Sequence, residues 1–65
     1  MKVKAKHTIK ILQNEELITI FIENKTYNAY KENNITWAFF VIDELRRSNI
    51  YCEDAFEKSF EIVEE

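Results

Sequence analysis

The sequence predicts a small α+β domain, a three-stranded antiparallel β-meander followed by two α-helices packed on it, in the order β-β-β-α-α. Three observations lead there. The first half alternates apolar and polar residues, or is rich in β-branched ones, as strands are. The stretch "ITWAFFVIDELRR" carries an apolar block that a helical wheel spreads into one broad stripe. The stretch "EDAFEKSFEIVEE" separates apolar and acidic residues onto opposite arcs of a second wheel.

Val3, Ala5, His7, Ile9 and Ile11 share one face of an extended segment, and Lys2, Lys4, Lys6, Thr8 and Lys10 share the other. "QNEE" is polar and turn-like, and "LITIFI" is a strand by propensity. Asn24 and Lys25 turn the chain into a third strand, "TYNAYK". Asn34 is a good N-cap for a helix from Ile35 to about Ser48, where Arg46 and Arg47 meet the negative end of its dipole. "SNIYC" is a connector, and Glu53 and Asp54 fall in the first turn of a second helix that runs to the end of the chain. Glycine and proline are both absent. Turns and caps therefore fall to Asn14, Asn24, Asn33, Asn34 and Asn49, because asparagine tolerates the left-handed region better than most residues.

Sixty-five residues make a single domain, 1–65, near the lower limit for folding on a hydrophobic core alone. Chains of this size are usually stapled by a disulfide, a metal or a partner. Cys52 is the only cysteine and suits a reducing compartment, so a cytoplasmic location is expected. His7 and Cys52 fall short of a zinc ligand set, and no metal or cofactor is expected. Association remains, which predicts a homo-oligomer. The N-terminus alternates rather than forming an apolar block, and no apolar run approaches the roughly 20 residues of a membrane span. The net charge of −3 is unevenly placed: residues 1–31 hold six Lys and three Glu, and residues 32–65 hold three basic residues and nine acids.

On the wheel of the first helix, Phe40 lands among Thr36, Asp43, Glu44 and Arg47, with Trp37 at the edge of the apolar stripe. Phe40 and Trp37 are therefore candidate anchors for a partner, against the plainer reading that the second helix covers Phe40. In the second helix Glu53, Asp54, Glu57, Glu61 and Glu64 gather on one arc. Glu53, Glu57 and Glu61 would be spaced about 6 Å apart, similar to successive phosphates along a DNA strand. Such a row solvates a helix face, or it mimics nucleic-acid phosphate and occupies a basic groove on another protein. The lysines of the first strand offer a weaker alternative, a single-stranded nucleic-acid surface. Catalysis is not expected, since neither a phosphate loop nor a nucleophile elbow can be written without glycine.

The abundance of Ile, Lys, Asn and Glu suits an AT-rich genome such as that of a low-GC bacterium or its phage. In size, acidity and this composition the chain resembles small phage-encoded inhibitors such as anti-CRISPR proteins and uracil-DNA glycosylase inhibitors. The resemblance is of character rather than motif and assigns no residue a role. The function expected is a non-catalytic, protein-binding module, a DNA-mimicking inhibitor in its sharpest form. A homodimeric structural or regulatory protein, its acids merely solubilising, is the alternative.

Overall fold

The computed structural model describes residues 1–65 and is mostly β. Its elements are β1 (Lys2–Ala5), β2 (Ile9–Gln13), β3 (Glu16–Phe21), β4 (Thr26–Glu32), β5 (Ile35–Ile42), β6 (Ser48–Cys52), α1 (Glu53–Ser59) and β7 (Phe60–Glu64). Five strands form one antiparallel sheet in the order β6-β5-β4-β1-β7, and β2 and β3 form a separate hairpin. The expected α+β meander with two helices is thus overturned.

The helix expected over 35–48 is a β-hairpin. Ile35 to Ile42 are β-branched and aromatic almost throughout, which favours a pleated strand over a helix. Successive side chains go to opposite faces, so an unbroken apolar run is what a strand covered on both sides requires. Phe39 and Val41 point to the core, and Phe40 and Ile42 to the other face. The second helix is also shorter than expected. It stops at Ser59, and Phe60 is already extended with φ −137° and ψ 155°. From there "FEIVE" pairs with β1 as an edge strand.

The extended segment expected over residues 2–11 is broken at 6–8. Ala5 bonds to the next turn, its N–H donating to Lys25 O and its carbonyl accepting from Asn24 N, and the Lys6 N–H donates to Ser59 O. The chain leaves the sheet there, so His7 is exposed rather than on the core face. The third-strand expectation finds its counterpart in β4, although β4 pairs with β1 and β5 and not with β3.

The core is largely aromatic. Phe21 is fully buried and meets Tyr27 and Phe60 edge-on, at 4.8 Å and 4.9 Å between ring centroids. Phe56 of α1 stacks on Phe39 at 3.9 Å. Each such pair adds about 0.5–1.5 kcal/mol beyond its buried area. Tyr51 of β6 and Phe60 of β7 lie 5.3 Å apart although they belong to opposite edges of the sheet. A flat sheet would hold those edges about 19 Å apart, at about 4.8 Å per strand. The sheet therefore curls around the core, with the β2–β3 hairpin and α1 on its concave side.

Four residues take positive φ without a glycine: Asn14 (50°), Glu15 (66°), Asn24 (69°) and Arg46 (62°). Asn14 and Glu15 form the two-residue turn of the β2–β3 hairpin, the geometry usually written Asn-Gly. A side chain at Glu15 costs about 1 kcal/mol there relative to glycine. Glu15→Gly is therefore expected to raise the urea midpoint, by a stability gain of up to about 1 kcal/mol. An unchanged or lower midpoint would mean that the turn is not under this strain.

Candidate functional site

Strand pairing assigns the outer, convex face of the sheet residue by residue. Tyr30 lies opposite Phe40, and Phe40 opposite Ile50, so these three form one row across β4, β5 and β6. The rings of Tyr30 and Phe40 stack almost parallel, with centroids 5.1 Å apart. The Tyr30 hydroxyl is 3.0 Å from Ser48 Oγ. Ile50 is 53% and Tyr30 38% exposed, while Phe40 is partly covered. Further along the same face Lys2 pairs with Asn28 and Glu64, and Lys4 with Thr26 and Glu61. The face is apolar toward β6 and charged toward β7.

The rim of this face is held by the β5–β6 turn. Asp43 is 96% buried, its carboxylate inside the turn. Its Oδ1 accepts from the backbone N–H groups of Leu45 and Arg47, both at 2.9 Å, and its Oδ2 accepts from Asn49 Nδ2 at 2.9 Å. Arg47 Nε adds a contact at 3.6 Å. Burial alone would push the Asp43 carboxyl up, but the hydrogen bonds from Asn49, Arg47 and Leu45 outweigh it and hold the group below its ordinary value. A carboxylate that accepts several N–H bonds is the charged form stabilised by its own loop.

Glu44 follows as the outward half of the same turn. It bonds to Lys25 Nζ at 2.7 Å and accepts from the Tyr27 hydroxyl at 2.5 Å; these two contacts hold it below its ordinary value. The Tyr27 oxygen in turn accepts from the Ile22 N–H at 2.8 Å. Burial, with the Glu44 bond second, raises Tyr27 to about 12. Burial likewise raises Tyr51, with the Asp43 charge adding to it. Lys2, Thr26, Asn28, Ile42 and Arg46 join Lys25, Tyr27, Asp43 and Glu44 around an open polar cleft of about 440 Å³.

The residues singled out in the sequence are scattered. Phe40 belongs to the apolar row, and Trp37 is 62% exposed near the start of β5. Glu53, Asp54 and Glu57 are exposed on α1. Glu61 and Glu64 lie instead on β7, so the phosphate-like row at helical pitch does not form. The lysine stripe is also divided. Lys2 and Lys4 lie on β1, which is an inner strand, Lys6 donates to Glu57 O, and Lys10 lies on the separate hairpin. The sequence places Tyr30 only as an aromatic that could accompany the lysine stripe, not beside Phe40, and it does not single out Ile50. Alternation in "TYNAYK" places Tyr30 opposite Tyr27 and would have found the first, but Ile50 sits in a segment too short to signal a strand.

No protein-family model matches the chain, and neither does any curated protein or solved structure. No helix is long and apolar enough to cross a membrane.

The turn yields a pH prediction. Because the folded-state value of Asp43 lies below the ordinary 3.8, its stabilisation is complete above that pH and is lost as pH falls through the lower folded value. Asp43→Asn is expected to cost about 2 kcal/mol at pH 7. It should also flatten the decline of stability below pH 3.8, measured by urea unfolding across the acid range. Parallel declines in variant and wild type would mean that the Asp43 charge contributes nothing to the turn.

Proposed function

We propose that the chain is a non-catalytic, protein-binding module that presents the outer face of its five-stranded sheet. The observation that carries this reading is the Tyr30–Phe40–Ile50 row, in which Tyr30 and Ile50 stay exposed on either side of a partly covered Phe40 that stacks on Tyr30. Aromatic groups on a rigid scaffold supply contact area at little entropic cost, and such anchors dominate interface energies. Strand pairing fixes the backbone beneath all three residues. Trp37 is also exposed on β5 but, three residues from Phe40, does not share its face by strand alternation.

The non-catalytic part rests on how the perturbed groups are used. Asp43 bonds its own turn, Glu44 bonds Lys25 and Tyr27, and Tyr27 and Tyr51 are shifted chiefly by burial. Each shift has a structural cause, whereas a catalytic group holds its shift for a substrate. The acids are divided between α1 and β7 and read best as a solvating surface.

The test compares two variants of a tagged chain incubated with extract from its source cells. Phe40→Ser is expected to reduce capture of a specific protein at least tenfold with the sheet intact by circular dichroism. Glu57→Lys with Glu61→Lys should leave capture within about twofold. The opposite pattern, loss with the acid reversals and retention with Phe40→Ser, would overturn the reading in favour of the acidic surface.

A further inference from the structure

We propose that β6 is a self-pairing edge, by which two copies of this chain join their sheets antiparallel about Ile50. The inference goes beyond the binding reading above, since edge pairing leaves both outer faces open.

β6 is the outermost strand on its side of the sheet, and no backbone hydrogen bond outside the sheet ladder engages its residues. The bond from Asp43 N–H to Arg47 O sets the phase of the β5–β6 ladder. With antiparallel alternation, the Val41–Asn49 and Phe39–Tyr51 pairs carry the inward bonds. The backbone groups of Ser48 and Ile50, and the Cys52 N–H, therefore turn to the free edge. α1 does not shield them, because Phe56 stacks on Phe39 and draws the helix beneath the concave side.

Exposed edges are normally blunted by charge, proline or a bulge. "SNIYC" has no charge and no proline, and its pairing with β5 runs without a register shift. The opposite edge, β7, carries Glu61 and Glu64 and faces a bulge in its pairing with β1. A head-to-tail contact of β6 with a β7 edge would meet that acidic, irregular strand. Pairing of β6 with itself closes on a twofold axis and stops at two copies.

The flanks identify the occupant as a second copy. In "RRSNIYCED" the neutral strand has Arg46 and Arg47 before it and Glu53 and Asp54 after it. All four are exposed. Antiparallel pairing with Ile50 opposite Ile50 brings the basic turn that precedes β6 in one copy toward the acidic helix start that follows β6 in the other, at both ends of the interface. A parallel arrangement would set like charges together, so the charges select the antiparallel direction. The same register joins the row Tyr30–Phe40–Ile50 to its copy, giving six apolar residues in one line across the shared sheet.

The experiment has two arms, both on the full chain. Under reducing conditions, sedimentation equilibrium is expected to show a wild-type dimer. Arg46→Glu alone and Asp54→Arg alone should each weaken it about tenfold. An equimolar mixture of the two variants should restore it, because each reversed charge then meets its complement. Circular dichroism checks that both variants keep the wild-type sheet. In the second arm Ser48→Cys is oxidised and digested. The register puts position 48 of one copy beside Cys52 of the other, about 5.5 Å between Cα atoms, within disulfide reach. Within one copy the two positions are about 13 Å apart along the strand and cannot join. A 48-to-52 link between chains, with mutual rescue in the mixture, supports the interface. A monomer throughout the concentration series overturns it. So does a dimer indifferent to both reversals, or one cross-linked only from Cys52 to Cys52.

Discussion

A carboxylate keeps its charge in a protein interior only where hydrogen bonds replace its water, and the structure depends on the fact that Asp43 has them. The cost of removing a charge from water is met by donors from the turn it terminates, so the residue and its loop specify one another. Once that turn is closed, β6 must run back along β5, and Glu44 must point toward Lys25 and the Tyr27 hydroxyl. Tyr27 in turn lies edge-on to Phe21 at the centre of the core. A single acidic side chain thus links the outer hairpin to the main aromatic cluster through one short chain of contacts.

That linkage explains how so small a chain can enclose a core. Five strands laid flat would expose both faces, and the hairpin and the short helix could not cover even one of them. The curl that brings Tyr51 near Phe60 reduces the area to be covered and lets β3, α1 and both edge strands contribute to one cluster. Its consequence is a convex face on which Tyr30 and Ile50 stay exposed. Phe40 and Tyr30 limit their exposure by stacking on each other, which is as far as the monomer can bury them.

What the sequence revealed depended on whether its local signals agreed. Strand character over Leu17–Phe21 and the reversals at Asn14 and Asn24 were legible, because propensity and turn chemistry coincide there. The hairpin of β5 and β6 was not. Its turn reads Asp-Glu-Leu-Arg-Arg, a string of good helix formers, and its left-handed position is filled by Arg46 where glycine would have marked a stop. Phe40 falling among polar residues on the wheel was the one sign that the period was two rather than 3.6. The end of α1 was hidden in the same way: Phe56 and Phe60 fit a helical repeat, yet the chain passes directly into β7 with no breaker between. Of the outer-face row, Phe40 drew notice in the sequence as a misfit on the helical wheel. Ile50 did not, because in a five-residue edge strand there is too little pattern to read.

The uneven charge of the sequence acquires a different meaning in three dimensions. The basic first strand and the acidic last strand are neighbours, with Lys4 opposite Glu61 and Lys2 opposite Glu64. Opposite charges at paired positions favour the register by a few tenths of a kcal/mol each, whereas like charges would oppose it. The segregation of charge along the chain therefore helps to recruit β7 to the far side of β1, although the two are separated by nearly the whole sequence. Lysines and glutamates that each suggest a polyanion surface or its mimic when read alone are, once paired, part of how the sheet finds its order. The charges at Arg46, Arg47, Glu53 and Asp54 are not consumed in this way, apart from the Arg47 contacts to Asp43 and Gln13. They bracket a neutral strand at the opposite edge, where strand pairing within the chain has ended and recognition between chains can begin.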